Sequence, residues 1–523
     1  MPSQALLRHV VSQQSRRAFV NRLSLPQVLM STAPAHESES FLTGTSSVYA
    51  EQMYENYLHD PSSVHESWRR YFDNLQQGVA FQESEYNQPT AVPPSKASRR
   101  QAPQAANAAP SDSLGVSHLI RAYQVSGHYA AHLDPLDLHG KLTFPLRPSN
   151  TRSYLPEGYP EELTAEFHGF AQADMDRPLN FKGTSSGGNK GYLEELASAP
   201  GKVTLRKIIQ QLRNTYCGTL GVEYMHIDNV DKCNWIRERV ENPRWLNYDK
   251  EKKQHIFERL CFADTFENFL AQKFNTTKRF GLDGGEAIVP ALKDAIDRAS
   301  ELGAHSFVLG MPHRGRLNVL ANVMRKPMPL IFSEFLGTHY DVGDYSKSKQ
   351  NSWGMSGDVK YHLGTSMDRT YPDGRKIHLS LVANPSHLEC VAPVVAGKAR
   401  AKQYYCGNRP EDVRNVVPIL LHGDAAFAGQ GIVYETMQLS QVDDFGIGGT
   451  IHVIVNNQIG FTTNPIHSRS TPYCSDLGKA FNCPIFHCNG DDPLAVSAAL
   501  ETAVEWRHEW GSDVIIDMVC YRR

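Results

Sequence analysis

Several things are missing from this sequence, and each absence removes a class of function. No apolar run approaches the roughly 20 residues needed to cross a bilayer; residues 417–421 are far too few and read as a buried strand. There is no excess of basic residues: the net charge is −3, which gives no electrostatic case for nucleic acid, whose binders show a basic face or stripe. The nine cysteines contain no Cys-x-x-Cys pair, so a zinc ribbon or a redox dithiol is not expected. They are scattered and odd in number, and a chain of this size needs no disulfide framework, so they read mostly as buried thiols in a reducing compartment. No Gly-x-Gly-x-x-Gly follows a strand-like run, which weakens a dinucleotide-binding reading. Acidic residues are absent from positions 1–36, while Arg8, Arg16, Arg17 and Arg22 stand among serines and apolar residues. That is the composition of a mitochondrial transit peptide, and residues 1–40 are set aside on this ground.

What is present is an ordinary globular composition, 41% hydrophobic and 21% charged over 523 residues, enough for roughly two to four domains. Residues 41–78 hold two short amphipathic helices. One spans about 48–58, with Tyr49, Met53, Tyr57 and Leu58 on one side. The other starts at Ser63, an N-cap with Glu66 three residues on, and repeats Val64, Trp68, Tyr71, Phe72 and Leu75 at helical spacing. Two such helices cannot bury a full core alone, so the segment is expected to dock on a partner or on the rest of the chain. Residues 79–112 turn to Ala, Pro, Gln and Ser without periodicity and read as a flexible linker. Residues 113–249 are mainly helical, as in 205–212 with Ile208, Ile209 and Leu212. From 250 to 523 helices (256–274, 287–300) and strand-like runs (306–309, 378–383, 417–422, 451–455, 485–487, 514–520) alternate. That alternation predicts an α/β fold with a doubly wound, mostly parallel sheet. Such sheets bind ligands at the carboxyl ends of their strands.

The unusual residues cluster at those ends. The run 417–422 leads into Gly423-Asp424-Ala425-Ala426, with a helix expected from about Phe427. The run 451–455 leads into Asn456-Asn457-Gln458-Ile459-Gly460. A carboxylate at one strand end and a carboxamide at the next can share a hard cation. Mg²⁺ takes six oxygens at about 2.1 Å and draws some from a phosphate ligand. Asp424 would supply charge, Asn457 a neutral oxygen and Ile459 its backbone carbonyl. Small Ala425 and Ala426 would let a diphosphate approach a helix start, where free N–H groups favour anions.

Gly-Asp-x followed about thirty residues later by Asn-Asn resembles the thiamine-diphosphate motif of transketolase-like enzymes. Longer stretches narrow the resemblance. Lys278-Arg279-Phe280-Gly281-Leu282-Asp283-Gly284-Gly285-Glu286, Gly310-Met311-Pro312-His313-Arg314-Gly315-Arg316-Leu317-Asn318, Ser356-Gly357-Asp358-Val359-Lys360-Tyr361-His362-Leu363-Gly364, Asn384-Pro385-Ser386-His387-Leu388-Glu389 and residues 422–431 all look like the first, decarboxylating component of 2-oxoglutarate dehydrogenase complexes. They stand in that family's order, from about Phe41 to the end, the linker excepted. The resemblance implies a transketolase-like thiamine-diphosphate-binding fold and Mg²⁺ on Asp424, Asn457 and the Ile459 carbonyl. It implies a cofactor site lined by Arg314, Ser386, Leu388, Asp424, Ala425, Ala426, Asn457 and Ile459, and a substrate site of His313, Arg314, His362 and Ser386, with His313 and His362 catalytic. The chemistry is apt: Arg binds a carboxylate bidentately and His moves protons near neutral pH. For an isolated His a structural role is the ordinary reading; the motifs lift His313 and His362 out of it, whereas His387 and His422 stay structural. Arg316 is expected to anchor its own loop.

The family activity so implied is oxidative decarboxylation of 2-oxoglutarate, with succinyl transfer to protein-bound lipoyl, in the tricarboxylic acid cycle of the mitochondrial matrix. Expected partners are the dihydrolipoyl succinyltransferase core and dihydrolipoyl dehydrogenase, with a homodimer in the full-length enzyme, no nucleic acid and no transmembrane segment. Residues 41–75 resemble the family's amino-terminal region, which the related 2-oxoadipate enzyme generally lacks. The family also carries an aminopyrimidine-binding domain with an activating glutamate, which this sequence does not contain, so this chain alone is expected to be inactive. Open alternatives are a non-catalytic assembly or cofactor-binding module, a first component acting on 2-oxoadipate, and a nicotinamide-dependent dehydrogenase, the last opposed by the Asp424 and Asn457 pair.

Overall fold

A computed structural model describes residues 53–73 in part, 112–137, 160–179, 203–242, 247–336, 362–463 and 465–522. The expected transit peptide, the body of the linker, Glu66, Leu75 and the motif residues 356–361 lie outside the described residues. The chain divides into two compact units, 1–107 and 108–523.

In the first unit Tyr57, Val64 and Phe72 form a small buried cluster, with Met53, Tyr54 and Trp68 packed against it. Met53, Tyr57, Val64, Trp68 and Phe72 of the expected amphipathic pair come together here, while Tyr49 and Tyr71 lie outside the described residues. Leu58 is 59% exposed, while Tyr54 packs on the cluster with its ring edge-on to Phe72 at 5.0 Å between centroids.

The second unit begins with α1 (Asp112–Ser126), α2 (Leu205–Tyr216), strand β1 (Leu220–Glu223) and α3 (Val230–Glu241). Thr204 caps α2 by accepting from the Lys207 N–H, and Asn229 caps α3 by accepting from Lys232 N–H. Oxygen side chains at this position satisfy backbone donors that have no partner inside the helix. The long α4 (Lys250–Lys273) follows, capped by Asp249, and then α5 (Ile288–Glu301). Strands β2 (Ser306–Gly310), β3 (Thr365–Thr370), β4 (Lys376–Leu381) and helix α6 (Val391–Cys406) lead to β5 (Val416–Gly423), α7 (Asp424–Gly429) and β6 (Ile451–Asn456). The described chain closes with β7 (Ile485–Asn489), α8 (Pro493–Trp510) and β8 (Val514–Val519).

The eight strands form one sheet in the order β1-β7-β8-β6-β5-β2-β4-β3. The six inner strands are parallel to their neighbours, and the edge strands β1 and β3 run antiparallel to β7 and β4. Alternate residues feed opposite faces, as the strand period of two requires. Phe307, Leu309, Val417, Ile419 and Leu421 join the large core with α5 and α8. Val308, Val416 and Leu420 pack instead on Val391 and Val395 of α6. Helices thus cover both faces, the doubly wound, mostly parallel arrangement that the alternation predicted.

Three details differ from the sequence reading. β1 lies inside the stretch read as helical, yet it is an edge strand of this sheet. β3 went unpredicted because it is a polar edge strand, Thr-Ser-Met-Asp-Arg-Thr, with only Arg369 buried. The helix after β5 starts at Asp424 rather than near Phe427.

The connections reverse direction at β2. From β2 the chain crosses to the edge strand β3, comes back through β4 beside β2, and then passes to β5 on the other side of β2 and on to β6. A reversal of this kind opens a crevice at the carboxyl ends of the strands.

Candidate active site

A cavity of about 1040 Å³ fills that crevice. Its walls come from loops after five strands: Pro312, His313 and Arg314 after β2, Leu388 after β4, Asp424–Ala426 after β5, Asn457, Ile459 and Gly460 after β6, and Arg522 after β8. Phe280, from the turn before α5, completes one side.

The β5–β6 register runs from Ile419↔Ile451 to Gly423↔Val455, so Asp424 and Asn457 leave neighbouring strands together. Asp424 is 3% exposed. Burial, reinforced by Asp517 and partly offset by Arg469, pushes its carboxyl up to about 6. Among the described residues no Lys or Arg forms an ion pair with it. Arg469 offsets only part of the cost of burying the carboxylate, and a divalent ion would relieve the rest. Gly460 makes the approach of the β6 turn possible: a Cβ there would lie 3.2 Å from the Ala425 Cβ. The donor set fits Mg²⁺, with one charged oxygen, one amide oxygen and a backbone carbonyl, leaving positions for phosphate and water. Because α7 has only six residues, its dipole is short. The space left by Ala425 and Ala426 is the firmer contribution to a diphosphate seat.

Another part of the wall carries His313, Arg314 and Arg522, with Asp283 and Glu267 close enough to act on the Arg314 charge. The Phe280-Gly281-Leu282 turn and the His313-Arg314-Gly315 turn are tied together. Gly315 N–H donates to Phe280 O at 2.7 Å, and Arg314 Nη1 donates to Gly281 O at 3.1 Å. Gly315 has φ +76 and its Cβ would meet Leu282 Cδ2 at 2.4 Å, so only glycine fits there. The Phe280 and His313 rings meet edge to face at 4.3 Å. Burial, then Arg314 and His362, lowers the His313 pKa, which keeps its imidazole neutral near pH 7. Burial, then the neighbouring Arg522, lowers that of Arg314.

Of the residues singled out from sequence, His313, Arg314, Leu388, Asp424, Ala425, Ala426, Asn457 and Ile459 line the cavity. His362 does not line it; it is buried and close enough to His313 to act on its charge. Ser386 is exposed and outside the cavity wall formed by the described residues. Arg316 is fully buried and donates to the carbonyls of Met311 and Leu363, both at 3.0 Å, and of Val382. It anchors the loop, as expected. His422 accounts for its nitrogens with Glu389 at 2.6 Å and His452 at 3.1 Å, a structural placement, and His387 is exposed.

Two arginines were not singled out. Arg522 lines the cavity beside Arg314; its position just past β8, a parallel strand, was the available signal. Arg469 influences Asp424, and its Nε and Nη1 are buried without a hydrogen-bond partner among the described residues. No local spacing marks it, since the 461–473 loop brings it in.

Residues 258–523 match the dehydrogenase E1 component family, and residues 39–79 match the 2-oxoglutarate dehydrogenase N-terminus family. Among curated proteins, the chain is 46% identical over 491 residues to "2-oxoglutarate dehydrogenase, mitochondrial" of Dictyostelium discoideum, covering 93% of this chain and 45% of that one. To the proteins of the same name in Caenorhabditis elegans and Saccharomyces cerevisiae it is 44% and 43% identical, covering 94% and 93% of this chain and 46% of each relative. The chain spans about half the length of the curated relatives it matches.

Proposed function

The chain belongs to the dehydrogenase E1 component family, and from that premise we propose that it carries the diphosphate-binding part of a thiamine-diphosphate- and Mg²⁺-dependent 2-oxoglutarate dehydrogenase. The observation that carries this reading is the buried Asp424, without an ion pair among the described residues, beside Asn457 in a cavity that Arg314 and Arg522 also line. When bound, thiamine diphosphate supplies the nucleophilic carbon and the electron sink for decarboxylating a 2-oxo acid.

The residues of this chain do the rest. Asp424, Asn457 and the Ile459 carbonyl hold the metal, and Ala425, Ala426 and Leu388 leave room for the cofactor. Arg314 offers two parallel N–H groups to a carboxylate, and Arg522 adds positive charge beside it. His313, kept neutral, can accept or donate a proton at its imidazole. His362 acts on its charge from a buried position nearby. A two-carboxylate substrate suits a cavity that two arginines line. The match of residues 39–79 favours 2-oxoglutarate over 2-oxoadipate. The acid-free leader and the mitochondrial names of the relatives support the mitochondrial matrix as the compartment. The test is CO₂ release by the protein that carries this chain, with Mg²⁺ and thiamine diphosphate, from 2-oxoglutarate, 2-oxoadipate and pyruvate. A clear preference for 2-oxoglutarate is expected; preference for either competitor refutes the substrate assignment.

Residues 41–75 are assigned to docking on the succinyltransferase core and dihydrolipoyl dehydrogenase. The apolar cluster of Tyr57, Val64 and Phe72 is small for a self-standing core. Deleting the segment is expected to leave the melting transition of the α/β unit in place and to reduce co-sedimentation with the core severalfold. Undiminished co-sedimentation would remove the docking role.

A further inference from the structure

The turn that presents Asn457 and the Ile459 carbonyl is held from outside its own strand. Gln458 sits at φ +61, a left-handed conformation that a non-glycine residue keeps only under constraint. The constraint is visible in two arms.

The inner arm starts at Asn456. Its Oδ1 accepts from Gln458 N–H at 3.2 Å, and its Nδ2 donates to Asp517 Oδ1 at 3.0 Å. The other oxygen of Asp517 lies 2.9 Å from His487 Nδ1, and His487 Nε2 lies 2.9 Å from Glu223 Oε1. Glu223 Oε2 takes Lys479 Nζ at 2.6 Å and faces His128 Nε2 at 3.4 Å. The path runs across β6, β8, β7 and β1, and its members Asn456, Asp517, His487 and Glu223 are at most 7% exposed. The outer arm is shorter: Gln458 Nε2 donates to Asp134 Oδ1 at 2.8 Å and to Cys520 O at 3.2 Å. Both arms end on the segment before α4, at Glu223, His128 and Asp134.

The ligand atoms of His128, Glu223 and His487 lie within 4.8 Å of one another, as in a metal site. The partners argue otherwise. Both His487 nitrogens face carboxylates, and the Lys479 ammonium already occupies Glu223. Although burial works against it, the hydrogen bonds to Asp517 and Glu223 push His487 up to about 9, so it is an imidazolium with no lone pair to give. Burial would raise Glu223, but His487, His128 and Lys479 hold it well below the usual carboxylate range. This is a neutralised chain of fixed charges, and such chains hold one geometry when fully satisfied.

We propose that Asp517, His487 and Glu223, together with Gln458 and Asp134, are positioning residues that lock the 456–459 turn toward Asp424, so that residues 112–242 set the affinity of a metal site to which they give no ligand. The inference rests on the Mg²⁺–diphosphate reading of the cavity. Groups behind metal ligands typically change affinity about 10- to 100-fold when removed.

The test uses Gln458→Ala and Asp517→Asn in the protein that carries this chain, with Asp424→Ala as reference. Calorimetry reads the Mg²⁺ affinity at saturating thiamine diphosphate, and the melting temperature is taken without metal. The expected result is about tenfold or more weaker Mg²⁺ binding in both variants, recovered by excess Mg²⁺, with the metal-free melting temperature of Gln458→Ala unchanged. Gln458 is partly exposed, so that variant carries the test should Asp517→Asn not fold. If Asp424→Ala abolishes binding while Gln458→Ala leaves Mg²⁺ affinity intact, the positioning role is wrong and the site reading stands. If the unaltered protein shows no saturable Mg²⁺ dependence, both are wrong.

Discussion

Replacing Asp424 with Ala is expected to abolish Mg²⁺-dependent binding of thiamine diphosphate. Asp424 is the only charged group in the proposed ligand set, and Asn457 and the Ile459 carbonyl are neutral. Loss of a group one shell out costs about 10- to 100-fold in metal affinity; loss of the charged ligand itself should cost about 100-fold or more. Asp424→Asn keeps an oxygen and the shape but not the charge, so an intermediate loss is expected. The metal-free protein should respond in the opposite sense. Its carboxylate is buried with no ion pair among the described residues, and burial has already pushed its pKa up to about 6. Arg469 and backbone N–H groups offset only part of the burial cost, so removing the charge relieves a net cost and the metal-free melting temperature of Asp424→Asn should hold or rise. Calorimetric titration and a thermal melt on the same samples check both halves. Unchanged cofactor affinity, or a large drop in metal-free stability, would mean that Asp424 serves the fold and not a metal.

Much of this geometry was legible because chemistry and strand ends coincide. The inner strands are runs such as Val416-Val417-Pro418-Ile419-Leu420-Leu421 and Ile451-His452-Val453-Ile454-Val455, apolar on both faces because helices cover both. Asp424 and Asn457 could be read because each follows such a run directly. The edge strands escaped for physical reasons. β1 is four residues long and contains a glycine, and β3 is paired on one side only and alternates polar residues. Neither offers a hydrophobic pattern that would set it apart from a loop. The part of the cavity wall that carries the arginines was half legible. His313 and Arg314 lie in a distinctive motif, but Arg522 and Arg469 reach the site through tertiary contacts with no local spacing. The Asp517–His487–Glu223 chain joins residues up to 294 positions apart in sequence, measured between Glu223 and Asp517; its buried charges look like strand interruptions until the sheet order is known. Ser386 shows the converse: its motif is distinctive, yet the residue is exposed beside Leu388 and not in the cavity wall of the described residues.

Substituting Arg314 with Met should reduce kcat/KM for 2-oxoglutarate by about a hundredfold or more. Arg314 is held in place by its bond to Gly281 O at 3.1 Å, which leaves other N–H groups of its fork available to an anion. It shares the cavity wall with Arg522, and that like charge, after burial, lowers its pKa. Burial and the like charge of Arg522 make the Arg314 guanidinium costly in the empty protein, a cost that Asp283 and Glu267 offset only in part. A substrate carboxylate between the two arginines recovers that cost and forms charge-assisted bonds. Removing one partner of such a pair typically costs 2–5 kcal/mol, and each 1.4 kcal/mol is a factor of ten, hence the expected magnitude. Because the charge is matched to a second carboxylate, the loss should be smaller for a 2-oxo acid with a single carboxylate, and the preference for the dicarboxylate should shrink. His362→Ala is the companion variant: His362 acts on the charge of His313 from outside the cavity wall, so its loss should lower decarboxylation more than it weakens cofactor binding. A ferricyanide-coupled assay with 2-oxoglutarate and pyruvate, run beside thiamine diphosphate titrations, separates the roles. If Arg314→Met weakens the cofactor and leaves substrate discrimination intact, Arg314 holds the diphosphate, and the dicarboxylate must be recognised by Arg522 or another group.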